Sequence, residues 1–123
     1  MIPSVTILGY INKLNGVQKL QYLSVLKQIF ITASGALTTL GNANGAAILA
    51  LTNQLSNEEF GYQDKIDPIW TLFAAALLTL GQNAHAAVIS NYLLQTGRQQ
   101  IVWTVDIMPL VQAIEEGLAA LGQ

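Results

Sequence analysis

Cysteine is absent from this chain of 123 residues. Disulfides, thiolate metal sites and cysteine nucleophiles are excluded together, and the redox compartment is left open. Charge is scarce as well: 10% of the residues are charged, against roughly 25% in an ordinary soluble domain. Histidine occurs once, as His85, so no pair of imidazoles can bind a metal, and no EF-hand spacing of oxygen ligands is present. The net charge of -2 argues against nucleic acid, which needs a basic face to displace counterions from phosphates. No G-x-G-x-x-G, P-loop, nucleophile elbow or H-E-x-x-H occurs. The stretch "MIPSVTILGYINKLNG" has neither a basic n-region nor a small-residue cleavage site after an apolar run, so no signal peptide is expected. No cofactor is expected.

What is present is apolar: 52% of the residues are hydrophobic. The length suits one domain, residues 1–123, with a real core. With so few charges, its surface must consist of amides, hydroxyls and alanine, or be covered. Covered subunit surfaces shed charge for the same desolvation reason as cores. A homo-oligomer, or a place among other subunits of one assembly, is therefore the expected state. The few charges are also uneven. Lys13, Lys19 and Lys27 stand without an acid before residue 58, while Asp106, Glu115 and Glu116 make the C-terminal end acidic. Complementarity within the chain is the simpler reading, and head-to-tail pairing of subunits the sharper one.

The dominant period is helical. Leu20, Leu23, the stem of Lys27, Phe30, Leu37 and Leu40 fall on one face, flanked by Leu26, Ile29 and Ala33. Gly41 follows the last apolar position, where a left-handed cap needs no Cβ. Asn42, Asn44 and Gly45 then turn the chain into a second, shorter helix. Ser56 stands three residues before Glu59 as a capping box. Asp67 reads as an N-cap with Pro68 at the first helical position, opening a helix that runs to Gly81. Gln82 and His85 belong to a second corner, and the helix after it runs to Gly97. A last helix, residues 107–121, carries the stripe Ile107, Leu110, Val111, Ile114, Leu118 and Leu121, with Pro109 in its first turn, Asp106 as candidate cap and Gly122 at its end. Residues 98–105 read equally as strand, linker or helix end.

The organising feature is a repeat. "LTTLGNANGAAI" at residues 37–48 returns as "LLTLGQNAHAAV" at 77–88, and "GLAALGQ" at 117–123 is a fainter echo. At an offset of forty, Ala36/Ala76, Leu37/Leu77, Thr39/Thr79, Leu40/Leu80, Gly41/Gly81, Ala46/Ala86 and Ala47/Ala87 are identical. Ala46 and Ala47 are expected to let the second helix of the unit pack closely. A unit that cannot bury its own apolar face stacks on a neighbour. The expected architecture is all-α: a helical bundle of about five to six helices built from two related helix–corner–helix units, residues 17–56 and 67–97, followed by the last helix.

Chemistry is hard to place on this frame. A general base needs a nucleophile or an orienting carboxylate, and no acid lies within fifteen residues of His85. It reads as a corner residue. Glu58, Glu59, Asp64 and Asp67 cluster in "NEEFGYQDKIDP", but Phe60, Tyr62 and Ile66 break any calcium spacing, leaving a loop with helix caps. The aromatics Trp70, Phe73, Tyr92 and Trp103 are not interleaved with basic residues. They read as core or subunit-contact anchors. Gln28–Asn57 and Pro68–Gly97 lack Asp, Glu, Lys and Arg and are each thirty residues long, enough to span a bilayer. Each is broken centrally by amides whose burial in hydrocarbon costs several kcal/mol apiece, so soluble hairpins fit better than spanning helices. The expectation is a non-enzymatic structural subunit that self-assembles into a symmetric particle, such as a capsid, connector or tail component of a virion or phage. Its alternatives are a helical protein that inserts conditionally into a bilayer, and a small module that binds an apolar ligand or a partner helix.

Overall fold

The computed structural model describes residues 16–95 and 107–123, with side-chain environments from residue 23 onward. Among the described residues there are five α-helices and no strand. These are α1 (Gly16–Thr39), α2 (Asn44–Gln54), α3 (Gln63–Thr79), α4 (Asn83–Leu94) and α5 (Met108–Ala120), with a 3-10 helix (Asn57–Gly61) between α2 and α3. Helices adjacent in sequence pack on each other along the chain, and α5 also touches α1 and α3. The expected Asp106 cap and the segment 98–105 lie outside the described residues.

The buried face of α1 comprises Leu23, Leu26, Ile29, Phe30, Ala33, Ser34 and Leu37. Leu26, Ile29 and Ala33, expected as flanks, are as fully buried as the rest of this face. Lys27 keeps its stem half-buried, and its ammonium donates to the carbonyl of Leu55 at 3.0 Å. A cation there meets the negative end of the α2 dipole. Lys27→Met is expected to lower stability by about 1.5 kcal/mol, seen as a lower urea midpoint at unchanged m.

Three helices end in the same way. Gly41, Gly81 and Gly122 have φ of +77°, +82° and +83°. In each, the next residue's N–H reaches back five positions: Asn42 to Leu37, Gln82 to Leu77 and Gln123 to Leu118, at 2.9, 2.8 and 3.0 Å. The glycine's own N–H bonds the carbonyl three residues before it. This is the Schellman arrangement, and only glycine enters it without strain.

α3 begins at Gln63, so Asp67 does not cap it and Pro68 lies inside. The apolar stripe explains the earlier start. Ile66, Ile69, Trp70, Phe73, Ala74 and Leu77 are buried, and Ile66 joins that face only if the helix extends back past the proline. Pro68 removes one intrahelical bond, at an exposed position where water can serve the freed carbonyl. Burying an isoleucine side chain contributes about 2 kcal/mol, which outweighs one net hydrogen bond of about 1 kcal/mol. In α5, by contrast, Pro109 stands in the first turn as expected, and Ile107, Leu110, Val111, Ile114 and Leu118 are buried.

The core gathers around Phe30. Its ring meets Trp70 edge-on at 4.8 Å and 85°, Phe73 at 5.3 Å and Phe60 at 5.7 Å. Trp70 and Phe73 are wholly buried and Tyr92 is 5% exposed. These three candidate interface residues are therefore core residues: a partner could reach them only by opening the fold. Trp103, the fourth, lies outside the described residues.

Candidate functional site

In the first corner, Asn42 accepts the N–H of Asn44 on its side-chain oxygen at 3.0 Å, and the Asn44 amide donates to the Leu72 carbonyl in α3 at 3.1 Å. Asn44 thereby ties the corner to a neighbouring helix. Gly45 is buried against α1. A Cβ there would meet the Thr38 hydroxyl, the Ser34 carbonyl oxygen at 2.6 Å and the Thr38 nitrogen at 2.8 Å. The close approach expected of Ala46 and Ala47 belongs to Gly45 instead; both alanines are exposed.

The second corner is built differently. His85 occupies the place of Gly45, and its Nδ1 lies 3.1 Å from Oε1 of Gln82. Its Nε2 faces the Glu116 carboxylate of α5 at 3.6 Å, and Gln112 donates to the other Glu116 oxygen at 3.0 Å. Gly117 of α5 lies beside the imidazole: a Cβ there would sit in ordinary contact with His85, 3.6 Å from its Cβ and 3.7 Å from its Cγ. The fold thus brings an acid to a histidine that has none nearby in sequence. Among the described residues the ring nitrogens face Gln82 and Glu116. The arrangement docks α5 onto the corner. Gly97 lies outside the described residues.

The acidic stretch forms caps. Glu59 accepts the Ser56 N–H at 2.8 Å, completing the capping box, and Tyr62 donates to Glu58 at 2.9 Å. The backbone hydrogen bond from Ser56, followed by its hydroxyl, lowers the Glu59 pKa; the bond to Glu58 raises that of Tyr62. Among the described residues no cluster of three or more His, Asp or Glu could hold a metal ion. A carboxylate with a depressed folded pKa stabilises the fold above its unfolded value, and that contribution is lost as pH falls through the folded one. Glu59→Gln is therefore expected to reduce the slope of stability against pH on the acid limb below about pH 4.5, measured by urea unfolding across that range.

The most exposed apolar side chains were not singled out by the sequence pattern. Leu94 is 78% and Leu78 59% exposed. They line a groove of about 430 Å³ with Thr71, Ala74 and Ala75 of α3 and Ser90 and Leu93 of α4. Their signal was an absence: from Pro68 to Gln95 there is no Asp, Glu, Lys or Arg, so α4 and the part of α3 from Pro68 onward carry none. No helix among the described residues is long and apolar enough to cross a membrane. No known protein family, curated protein or solved structure matches this chain.

Proposed function

We propose that this protein is a non-enzymatic structural subunit that assembles with copies of itself into a larger symmetric particle. The observation that carries this reading is the stretch Pro68–Gln95, which holds most of α3 and all of α4, lacks Asp, Glu, Lys and Arg, and leaves Leu78, Val88 and Leu94 exposed. Water gains little from such a surface and a protein partner gains much: burial returns roughly 25 cal/mol per Å² of apolar area, with no charge to desolvate. The low charge of the chain as a whole points the same way.

The subunit is, on this reading, a helical bundle of two related helix–corner–helix units. Six buried positions of α1, namely Leu26, Ile29, Phe30, Ala33, Ser34 and Leu37, correspond at an offset of forty to Ile66, Ile69, Trp70, Phe73, Ala74 and Leu77, all buried in α3. The matched glycine caps at Gly41 and Gly81 support the same relation. The second helices depart from it. α2 buries Gly45, Ile48 and Thr52, whereas α4 buries Ala86, Ile89 and Tyr92. Two of the three buried positions shift by one residue, Gly45 and Ile48 against Ala86 and Ile89, while Thr52 and Tyr92 correspond, and Val88 is outward where Ile48 is inward.

Sedimentation velocity and native mass spectrometry test the proposal directly. A defined oligomer that persists on dilution and does not bind phosphatidylcholine vesicles is expected. A monomer at every concentration up to the solubility limit would overturn it.

A further inference from the structure

We infer that Asn44-Gly45 is a site of spontaneous modification guarded by the fold. The native corner suppresses its deamidation, and in the unfolded chain it converts to isoaspartate, from which the corner does not re-form. The inference is independent of the assembly reading.

An asparagine followed by glycine carries its own nucleophile. The Gly45 nitrogen attacks Cγ of Asn44, the Cγ–Nδ2 bond breaks, and ammonia leaves with the proton that the Gly45 nitrogen gives up. A five-membered imide results, and water opens it at either carbonyl to give aspartate or isoaspartate. Glycine favours the attack because no Cβ hinders the backbone as it turns over Cγ. The sequence holds two such pairs, Asn15-Gly16 and Asn44-Gly45, and the second corner has Ala84-His85 at the matching place.

The fold blocks the first step. Attack requires the Asn44 backbone to rotate out of the helical conformation, and Asn44 is the first residue of α2. The Gly45 N–H is engaged, donating to the Asn42 carbonyl at 3.1 Å. The leaving amide is tied to the Leu72 carbonyl at 3.1 Å, and the Asn44 N–H to the Asn42 side chain at 3.0 Å. Gly45 itself is packed so closely on α1 that a Cβ would lie 2.6 Å from the Ser34 carbonyl oxygen. The peptide between Asn44 and Gly45 therefore turns only when α2 lifts from α1, a local opening.

The two products affect the corner differently. Aspartate at this position loses the donor to Leu72, but its charge stands at the N-terminus of α2, where the helix dipole favours it. Isoaspartate routes the backbone through the former side chain and adds one methylene, about 1.5 Å of chain, immediately before Gly45. The misfit falls at the crossing of α1 and α2, where Gly45 already lies against backbone atoms. A longer chain there cannot place Gly45 on Ser34 and Thr38 while α2 keeps its start.

The test ages the protein in mildly alkaline buffer, with and without an unfolding concentration of urea. Peptide mapping by mass spectrometry, with isoaspartate resolved from aspartate, follows residue 44 separately from Asn15. Conversion of Asn44 is expected to be at least about ten-fold slower in the native protein, a ratio set by the opening of the corner. Urea is then removed from an aged sample, and size-exclusion chromatography separates the refolded fraction from the rest. Isoaspartate at residue 44 is expected to be depleted from the refolded fraction, and aspartate to be present in both. Equal rates with and without urea would overturn the guarding role of the fold. Isoaspartate at the same proportion in both fractions would overturn the bar to refolding, and no conversion of Asn44 in urea would overturn the site itself.

Discussion

Gly45→Ala is expected to destabilise the protein by on the order of 3 kcal/mol, seen as a fall in Tm of roughly 12 °C for a chain of this length. The added methyl has nowhere to go. Two of the atoms it meets are backbone, the Ser34 carbonyl oxygen and the Thr38 nitrogen, so a whole helix must shift rather than a side chain. The usual gain of about 1 kcal/mol for alanine over glycine within a helix is too small to offset that shift. Gly117→Ala is the informative comparison. There the closest atom is the terminal methyl of Leu77, at 2.9 Å, which can rotate away. The clash and the propensity gain nearly cancel, and a change within about 1 kcal/mol is expected. Equal losses at the two positions would show that the crossing of α1 and α2 is not set by backbone contact at Gly45.

Removing the ring at the centre of the core is the second large effect. Phe30→Ala is expected to cost about 4 kcal/mol or more, a large share of the 5–15 kcal/mol typical of a whole domain. Three aromatic neighbours lose a partner at once: Trp70, Phe73 and Phe60, each with its ring centre within 6 Å. Such pairs add about 0.5–1.5 kcal/mol each beyond the area they bury. The loss couples elements far apart in sequence, since Phe30 lies in α1, Phe60 in the 3-10 helix, and Trp70 and Phe73 in α3. Phe30→Leu keeps most of the volume and is expected to cost less than half as much, measured by denaturant unfolding of both variants. If Phe30→Ala costs no more than Phe30→Leu, Phe30 is not the hub of this cluster.

Where sequence reading and structure agree, the cause is local. Gly41, Gly81 and Gly122 end their helices because the left-handed conformation excludes a Cβ whatever surrounds it. Ser56 and Glu59 cap because three residues is the reach of the reciprocal bond. The stripe of α5 is read from a period that depends only on helix geometry. Where the two differ, something distant intervened. Asp67 and Pro68 look like a helix start, but Ile66 earns its place in the core only if the helix begins earlier. Ala46 and Ala86 are identical partners in the repeat, yet one is exposed and the other buried. Trp70 and Phe73 suit an interface as well as a core by composition; Phe30 supplies the rings that hold them inside.

The sequence by itself determined that this chain is helical, where several of its helices stop, and that long stretches of it carry no charge. Each of these follows from periodicity, glycine geometry or composition, which need no knowledge of what lies across the fold. Only the tertiary structure decided which side of each helix faces inward, that Gly45 and not its neighbouring alanines touches α1, that Glu116 meets His85, and that Leu78 and Leu94 share an open groove. Those outcomes depend on the rotation of whole helices against one another. A turn of about 100° is one residue in sequence, too small a step for a repeated motif to specify, and enough to exchange an exposed side chain for a buried one.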